Sequence, residues 1–276
     1  VAVKDEMPAL ALTDLSNLHA AVKFYEACLK KGIKPILGSV IRLNDAEHRA
    51  TLLAMSNTGW RSLTEIVSRG FIEGQQLSIP CVQKDWILEQ SEDLIVLLGQ
   101  RSDVGQMLCS SNPQKAEPLL EAWIEKFGNR VYLALTRTER AGEEDFIQQA
   151  LKLAEKYQIG VVAHNDVHFI EQHDYDAHEA RVCIADGYVL GDNKRPKNFS
   201  SEQYFKTGEQ MSELFSDIPS AIANSYYIAQ RCNVALQLGT YFLPDFPIPD
   251  GYTIDSYFEH LSREGLEERL NHLYPI

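Results

Sequence analysis

Gly160-Val161-Val162-Ala163-His164-Asn165-Asp166-Val167-His168 is the stretch on which the reading of this chain turns. Its apolar run, Val161 to Ala163, follows a helix-like segment (Asp145 to Tyr157) and a turn at Gln158 to Gly160, so it reads as a short buried strand that ends in polar residues. In parallel α/β sheets the side chains at the carboxyl ends of strands converge on one face, and chemistry collects there. Asp166 and His168 lie two apart, so an extended backbone aims both the same way. Two readings of the pair stay open: half of a metal site, or a hydrogen-bonded histidine beside a helix-capping aspartate.

Working outward, strand-like runs recur with helical segments between them. Upstream lie Ala9 to Asp14, Ile33 to Leu43, Thr51 to Met55, Asp93 to Leu98 and Val131 to Thr136. The helical stretches are Leu18 to Lys31, Trp60 to Arg69, Lys84 to Glu89 and Ala116 to Phe127. Strands separated by helices predict right-handed crossovers and a mostly parallel sheet, closed into a barrel or doubly wound. Within it Leu10, Leu12, Ile36, Leu53, Ile95, Val96, Leu133 and Val162 are expected as buried strand residues.

Beyond His168 helices take over. Ser200-x-x-Gln203 and Thr207-x-x-Gln210 look like capping boxes, Pro219 suits a first helical turn, and Thr253 can cap a last helix through Leu270. Residues 1–190 are therefore expected to form the α/β domain and 191–276 a helical extension and connector, with Tyr241 to Gly251 extended. Asp192 to Lys197 reads as a basic loop, solvated in preference to phosphate-contacting.

The chain carries 26 Lys and Arg against 39 Asp and Glu, a formal net charge of −13. That balance disfavours independent DNA or RNA binding. No run approaches the length of a membrane span. Five scattered cysteines without a C-x-x-C pair argue against a disulfide framework and fit a reducing cytoplasm. The opening Val1-Ala2-Val3-Lys4 reads like the last turn of a helix, as in a fragment. A phosphate loop, a dinucleotide-binding G-x-G-x-x-G, a G-x-S-x-G elbow and an H-E-x-x-H helix are all missing from the sequence.

Ala9-Leu10-Ala11-Leu12-Thr13-Asp14, Asn17-Leu18, Val22-Lys23-Phe24-Tyr25 and Gly32 to Gly38 resemble the PHP (polymerase and histidinol phosphatase) family. The likeness is to the PHP domain at the amino end of the bacterial DNA polymerase III alpha subunit. It continues through Asn165-Asp166-Val167-His168-Phe169, Asp176-Ala177-His178-Glu179, Cys232-Asn233-Val234 and Leu238 to Pro244, nearly the whole chain. The resemblance implies a distorted seven-stranded β/α barrel whose first strand would precede Val1.

Active members of the family look like metal-dependent phosphoesterases, with divalent metals held at the carboxyl-end face of the barrel. Mapped residue by residue, the implied metal-site positions are Asp14, Leu15, Val40, Arg49, Gln100, Asp166 and His168. Leu15 stands where a histidine is expected, Val40 where a glutamate is, Arg49 where a histidine is (with His48 on the opposite pleat face), and Gln100 where a Cys or acid is. Leucine and valine cannot bind a metal and arginine repels one. The expectation is a degenerate metal site, without cofactor or catalytic residue. The module would belong to DNA replication, packing on the rest of a DNA-directed DNA polymerase (a nucleotidyltransferase) and docking a proofreading exonuclease subunit. The alternative is a metal-dependent phosphoesterase or 3′-5′ exonuclease with a Zn or Mn cluster on Asp14, His48, Asp166, His168 and upstream histidines.

Overall fold

Strand length and connection length fix the topology. In the computed structural model, which describes residues 1–44, 47–192, 194–241 and 243–274, the apolar runs become β1 (Ala9–Leu12), β2 (Lys34–Arg42), β3 (Arg49–Ala54), β4 (Leu94–Leu98), β5 (Val131–Leu135) and β6 (Gly160–Ala163). They form one curled sheet in that spatial order, a half-barrel, and a separate two-stranded ribbon pairs Gln75–Gln76 with Ile79–Pro80. Strand pairs β1/β2, β4/β5 and β5/β6 are parallel. Both pairings of β3 are antiparallel, so the sheet is mostly parallel, as expected of strands separated by helices, with one reversed strand. The cause is the link between Arg42 and Arg49, too short for the crossover of a dozen or more residues that a parallel neighbour requires.

Successive strand residues face opposite sides of the sheet. On the outer side Leu37, Leu52, Val96, Leu98, Leu133 and Val161 pack with residues of α2 (Asn57–Ile72), α5 (Ala116–Phe127) and α6 (Glu143–Tyr157), including Leu63, Ile66, Leu120, Trp123 and Phe146. On the inner side Ile36, Leu53, Ile95, Leu97, Tyr132, Ala134 and Val162 form a second cluster, closed by Ile228 of α9 (Pro219–Arg231) and by Cys232. Lys34 Nζ ties this end together, donating to the Ala229 carbonyl at 2.7 Å and to Asn233 Oδ1 at 2.8 Å. Of the eight expected core residues, Leu10 and Leu12 are only partly buried. They lie on β1, an edge strand with one neighbour; the other six are buried.

Gly38 lets β2 and β3 approach closely. A Cβ there would sit 2.4 Å from the Leu52 carbonyl oxygen, a backbone atom that cannot step aside.

The chain divides into two compact units, Val1–Leu236 and Gln237–Ile276. In the first, α8 (Gly208–Leu214) opens with the Thr207/Gln210 capping box, and Pro219 starts α9. Ser200 and Gln203 start no helix: Ser200 N–H donates to Gln203 Oε1 at 3.0 Å across a turn, leaving the Gln203 amide nitrogen directed elsewhere. In the second, α10 (Ile254–Leu273) is capped by Thr253 and Ser256. The residues 241 and 243–249 before it carry no regular structure; Phe242 and Asn193 lie outside the described residues. Among the described residues, no helix is long and apolar enough to cross a membrane.

Candidate functional site

A cleft of about 300 Å³ opens where the strand ends converge. Asp14, Leu15, Val40, Arg49, Gln100, Asp166 and His168 all line it, joined by Arg101, Arg140 and His164. His48 is not among the lining residues, in keeping with its place one residue from Arg49 on an alternating strand. The first wall is built by backbone pairing past the end of β1. Leu15 and Val40 form a parallel bridge, Val40 N–H donates to the Asp14 carbonyl at 3.2 Å, and the buried Ser39 Oγ donates to the same carbonyl at 2.8 Å. Opposite, Arg49 N–H donates to the Arg101 carbonyl at 2.8 Å, which brings both arginines to the same rim.

The floor turns at Asp166. Its φ of +49° is left-handed, a conformation that aspartate tolerates better than most residues. The extended run assumed from Asp166 to His168 is therefore broken. The two side chains still meet, with His168 Nε2 3.5 Å from Asp166 Oδ1. The other carboxylate oxygen accepts from Arg140 Nη1 at 2.9 Å and from Gln203 Nε2 at 3.0 Å, and the same amide reaches the Asp166 carbonyl at 3.1 Å. Arg140 is itself held: its Nε donates to Thr138 Oγ1 at 2.9 Å and to Glu143 Oε1 at 3.2 Å, and Glu143 is 3% exposed. Burial alone would raise the Asp166 pKa. The hydrogen bond with His168 and the charges of His164 and Arg140 outweigh burial and hold the carboxyl well below the usual range.

Three guanidinium groups share the cleft. Burial, then Arg101 and Arg42, pull Arg49 down to about 10, so it stays cationic at neutral pH. Arg101 is lowered by burial and by Arg140. The His164 pKa is lowered by burial. Behind His168 sits an aromatic wall, with ring centroids 5.3 Å to His178 and 4.7 Å to Phe199. His178 Nδ1 accepts from Arg181 at 3.0 Å, and burial lowers its pKa. The basic loop is not simply solvated, because Arg195 turns inward to pair with Glu179, which is 2% exposed.

The PHP domain model matches residues 1–138, half of the chain. The chain belongs to the PHP domain family. Over 275 residues this PHP domain is 46% identical to the DNA polymerase III alpha subunits of Pseudomonas fluorescens, Vibrio cholerae and Escherichia coli. Each alignment takes in 98% of the chain but only 23–24% of the relative. The PHP domain thus spans about a quarter of the length of the relatives it matches.

The residues of this cleft do not fit a catalytic metal cluster. Among the described residues, no three His, Cys, Asp or Glu side chains are grouped to hold an ion. The Asp166 carboxylate is already engaged by Arg140, Gln203 and His168, and Arg49 and Arg101 add positive charge where several cations would need bridging carboxylates. Sequence reasoning missed Arg101, Arg140, His164 and Gln203. The only signal was position: Arg101 and Arg140 each follow a strand end by a few residues, and Gln203 was assigned to a helix cap.

Proposed function

We propose that this PHP domain is the amino-terminal module of a bacterial replicative DNA polymerase III alpha subunit and that it is a non-catalytic structural and docking unit. In this reading it packs against the rest of the alpha subunit, binds the proofreading exonuclease subunit and works in the cytoplasm. Residues 1–190 contribute six strands to a PHP-type β/α barrel, and residues 191–276 are the helical extension and connector that leads toward the polymerase body. One observation carries the loss of chemistry. Leu15, Val40, Arg49 and Gln100 stand in the cleft at positions where the family pattern implies ligands, and of the two carboxylates in the lining, that of Asp166 is bonded by protein donors. A hydrolytic centre needs several ligands per ion and an open water position.

The acidic balance of the chain supports protein docking over DNA contact at physiological salt. Titration calorimetry with the exonuclease subunit tests the docking. Saturable binding together with no shift of duplex or single-stranded DNA is the expected result. Failure to bind the exonuclease by the full-length alpha subunit, or tight DNA binding by residues 1–276, would refute it.

A further inference from the structure

Polarity is inverted around the end of α7 (Tyr175–Asp186). Gly187, at φ +75°, turns the chain out of the helix, and Tyr188 N–H donates back to the Cys183 carbonyl at 2.9 Å. That closing turn folds residues 188–190 against the last turn of the helix. The side chains it gathers at the surface are apolar: Ile184 is 84% exposed, Val189 74% and Leu190 49%, and Tyr188 is exposed beside them. The charges run inward. Glu179 is buried and paired with Arg195, itself nearly buried, and Arg195 Nε donates to the Leu190 carbonyl at 3.2 Å. The ion pair therefore braces from beneath a loop whose apolar side chains face water. Both halves of this arrangement are unfavourable while nothing covers the loop. A desolvated ion pair gains little over hydrated charges, and large apolar side chains left in water lose the stabilisation of burial. An apolar patch held on a rigid base marks a contact surface.

We propose that Ile184, Tyr188, Val189 and Leu190 form a docking patch covered by the part of the alpha-subunit chain that lies outside residues 1–276. The choice of occupant rests on chain length. Relatives that align with 98% of this chain are about four times as long, so the covering surface is tied to the same polypeptide and meets the patch at a high effective concentration. The charged pair beneath the patch neutralises itself, and the four side chains above it call for an apolar socket. The brace holds the loop in one shape before contact, which lowers the ordering cost of docking. The inference rests on the reading of this chain as a module of the alpha subunit, and it adds which surface of the module faces the polymerase body.

The test is hydroxyl-radical footprinting of the full-length natural chain, read by mass spectrometry, first alone and then with the exonuclease subunit. Leu77, 99% exposed on the two-stranded ribbon, is the internal reference; against Leu190 at 49%, exposure alone allows a difference of about twofold. Contact that excludes water should slow oxidation of Leu190 at least about tenfold relative to Leu77 in the subunit alone, with Ile184 and Val189 slowed alongside it. Val189→Asp, a change at an exposed position, should return Ile184 and Leu190 to within about twofold of the reference. Oxidation of the parent patch at the reference rate, or protection that persists in Val189→Asp, overturns the proposal. Protection that needs the exonuclease subunit, or that fades on dilution, assigns the patch to another chain and overturns it as well. The intact mass of the natural chain tests the module reading separately: a chain no longer than residues 1–276 refutes that reading, whereas a longer chain with an unprotected patch refutes the docking patch alone.

Discussion

Replacing Asp166 separates its two contributions, a carboxylate that gathers three donors and a backbone that turns left-handed. Asp166→Asn keeps the shape and removes the charge. Hydrogen bonds to charged groups contribute about 1.5–3 kcal/mol each, but the side chain is 30% exposed, and water replaces part of what Arg140 and Gln203 lose. The expected destabilisation is about 2 kcal/mol. Asp166→Ala loses the acceptor entirely and places an ordinary L-residue at φ +49°, which adds about 1 kcal/mol. Asp166→Gly loses the acceptor but accepts that φ without strain, so glycine should be more stable than alanine by about 1 kcal/mol. Equilibrium urea unfolding of the 1–276 chain reads all three from the midpoints. A glycine variant no more stable than alanine would refute the role of the turn. An asparagine variant with an unchanged midpoint would refute the network.

Val96, fully buried on β4, should cost about 1–3 kcal/mol on truncation to alanine through lost burial and a cavity, and an unchanged urea midpoint would count against the core described. Acid should destabilise the fold in two windows. His164 and His178 have folded pKa values below their ordinary 6.5, so the stability they contribute is present above about 6.5 and declines as pH falls toward the folded values. Asp166 is depressed as a carboxylate, so its contribution is present above about 3.9 and is lost at still lower pH. Stability measured against pH should lose slope below about pH 6.5 in His164→Gln and below about pH 4 in Asp166→Asn; parent-like profiles in both would contradict the assignments.

The strands were legible because short apolar runs bounded by turns, such as Val131–Leu135 and Leu94–Leu98, leave few alternatives to a buried strand. Direction was not read from those runs, although the spacing between Arg42 and Arg49 carried it. The positions around the cleft were legible too, since Asp14 and Asp166 lie just past the ends of β1 and β6, Val40 lies near the end of β2, and a curled sheet brings strand ends together. What a strand-by-strand reading could not supply was the partner of each group. Gln203 lies 37 positions from Asp166 and Arg140 lies 26 away, and no local period links them. Leu10 and Leu12 match the buried pattern as well as Leu133 does, yet their exposure is set by the edge position of β1. Arg195 has the neighbours of a surface loop and was read as solvated, while its inward course depends on the buried Glu179 sixteen positions earlier.

The proposed absence of a catalytic metal centre from this PHP domain is open to direct test. The most direct measurement is elemental analysis of protein purified without chelator, coupled to a phosphodiester hydrolysis assay with added zinc or manganese. Substoichiometric metal and no metal-dependent hydrolysis are expected, because Leu15, Val40 and Arg49 supply no ligand and Gln100 offers only a neutral amide oxygen. Stoichiometric bound metal, with hydrolysis abolished by Asp166→Asn, would contradict it.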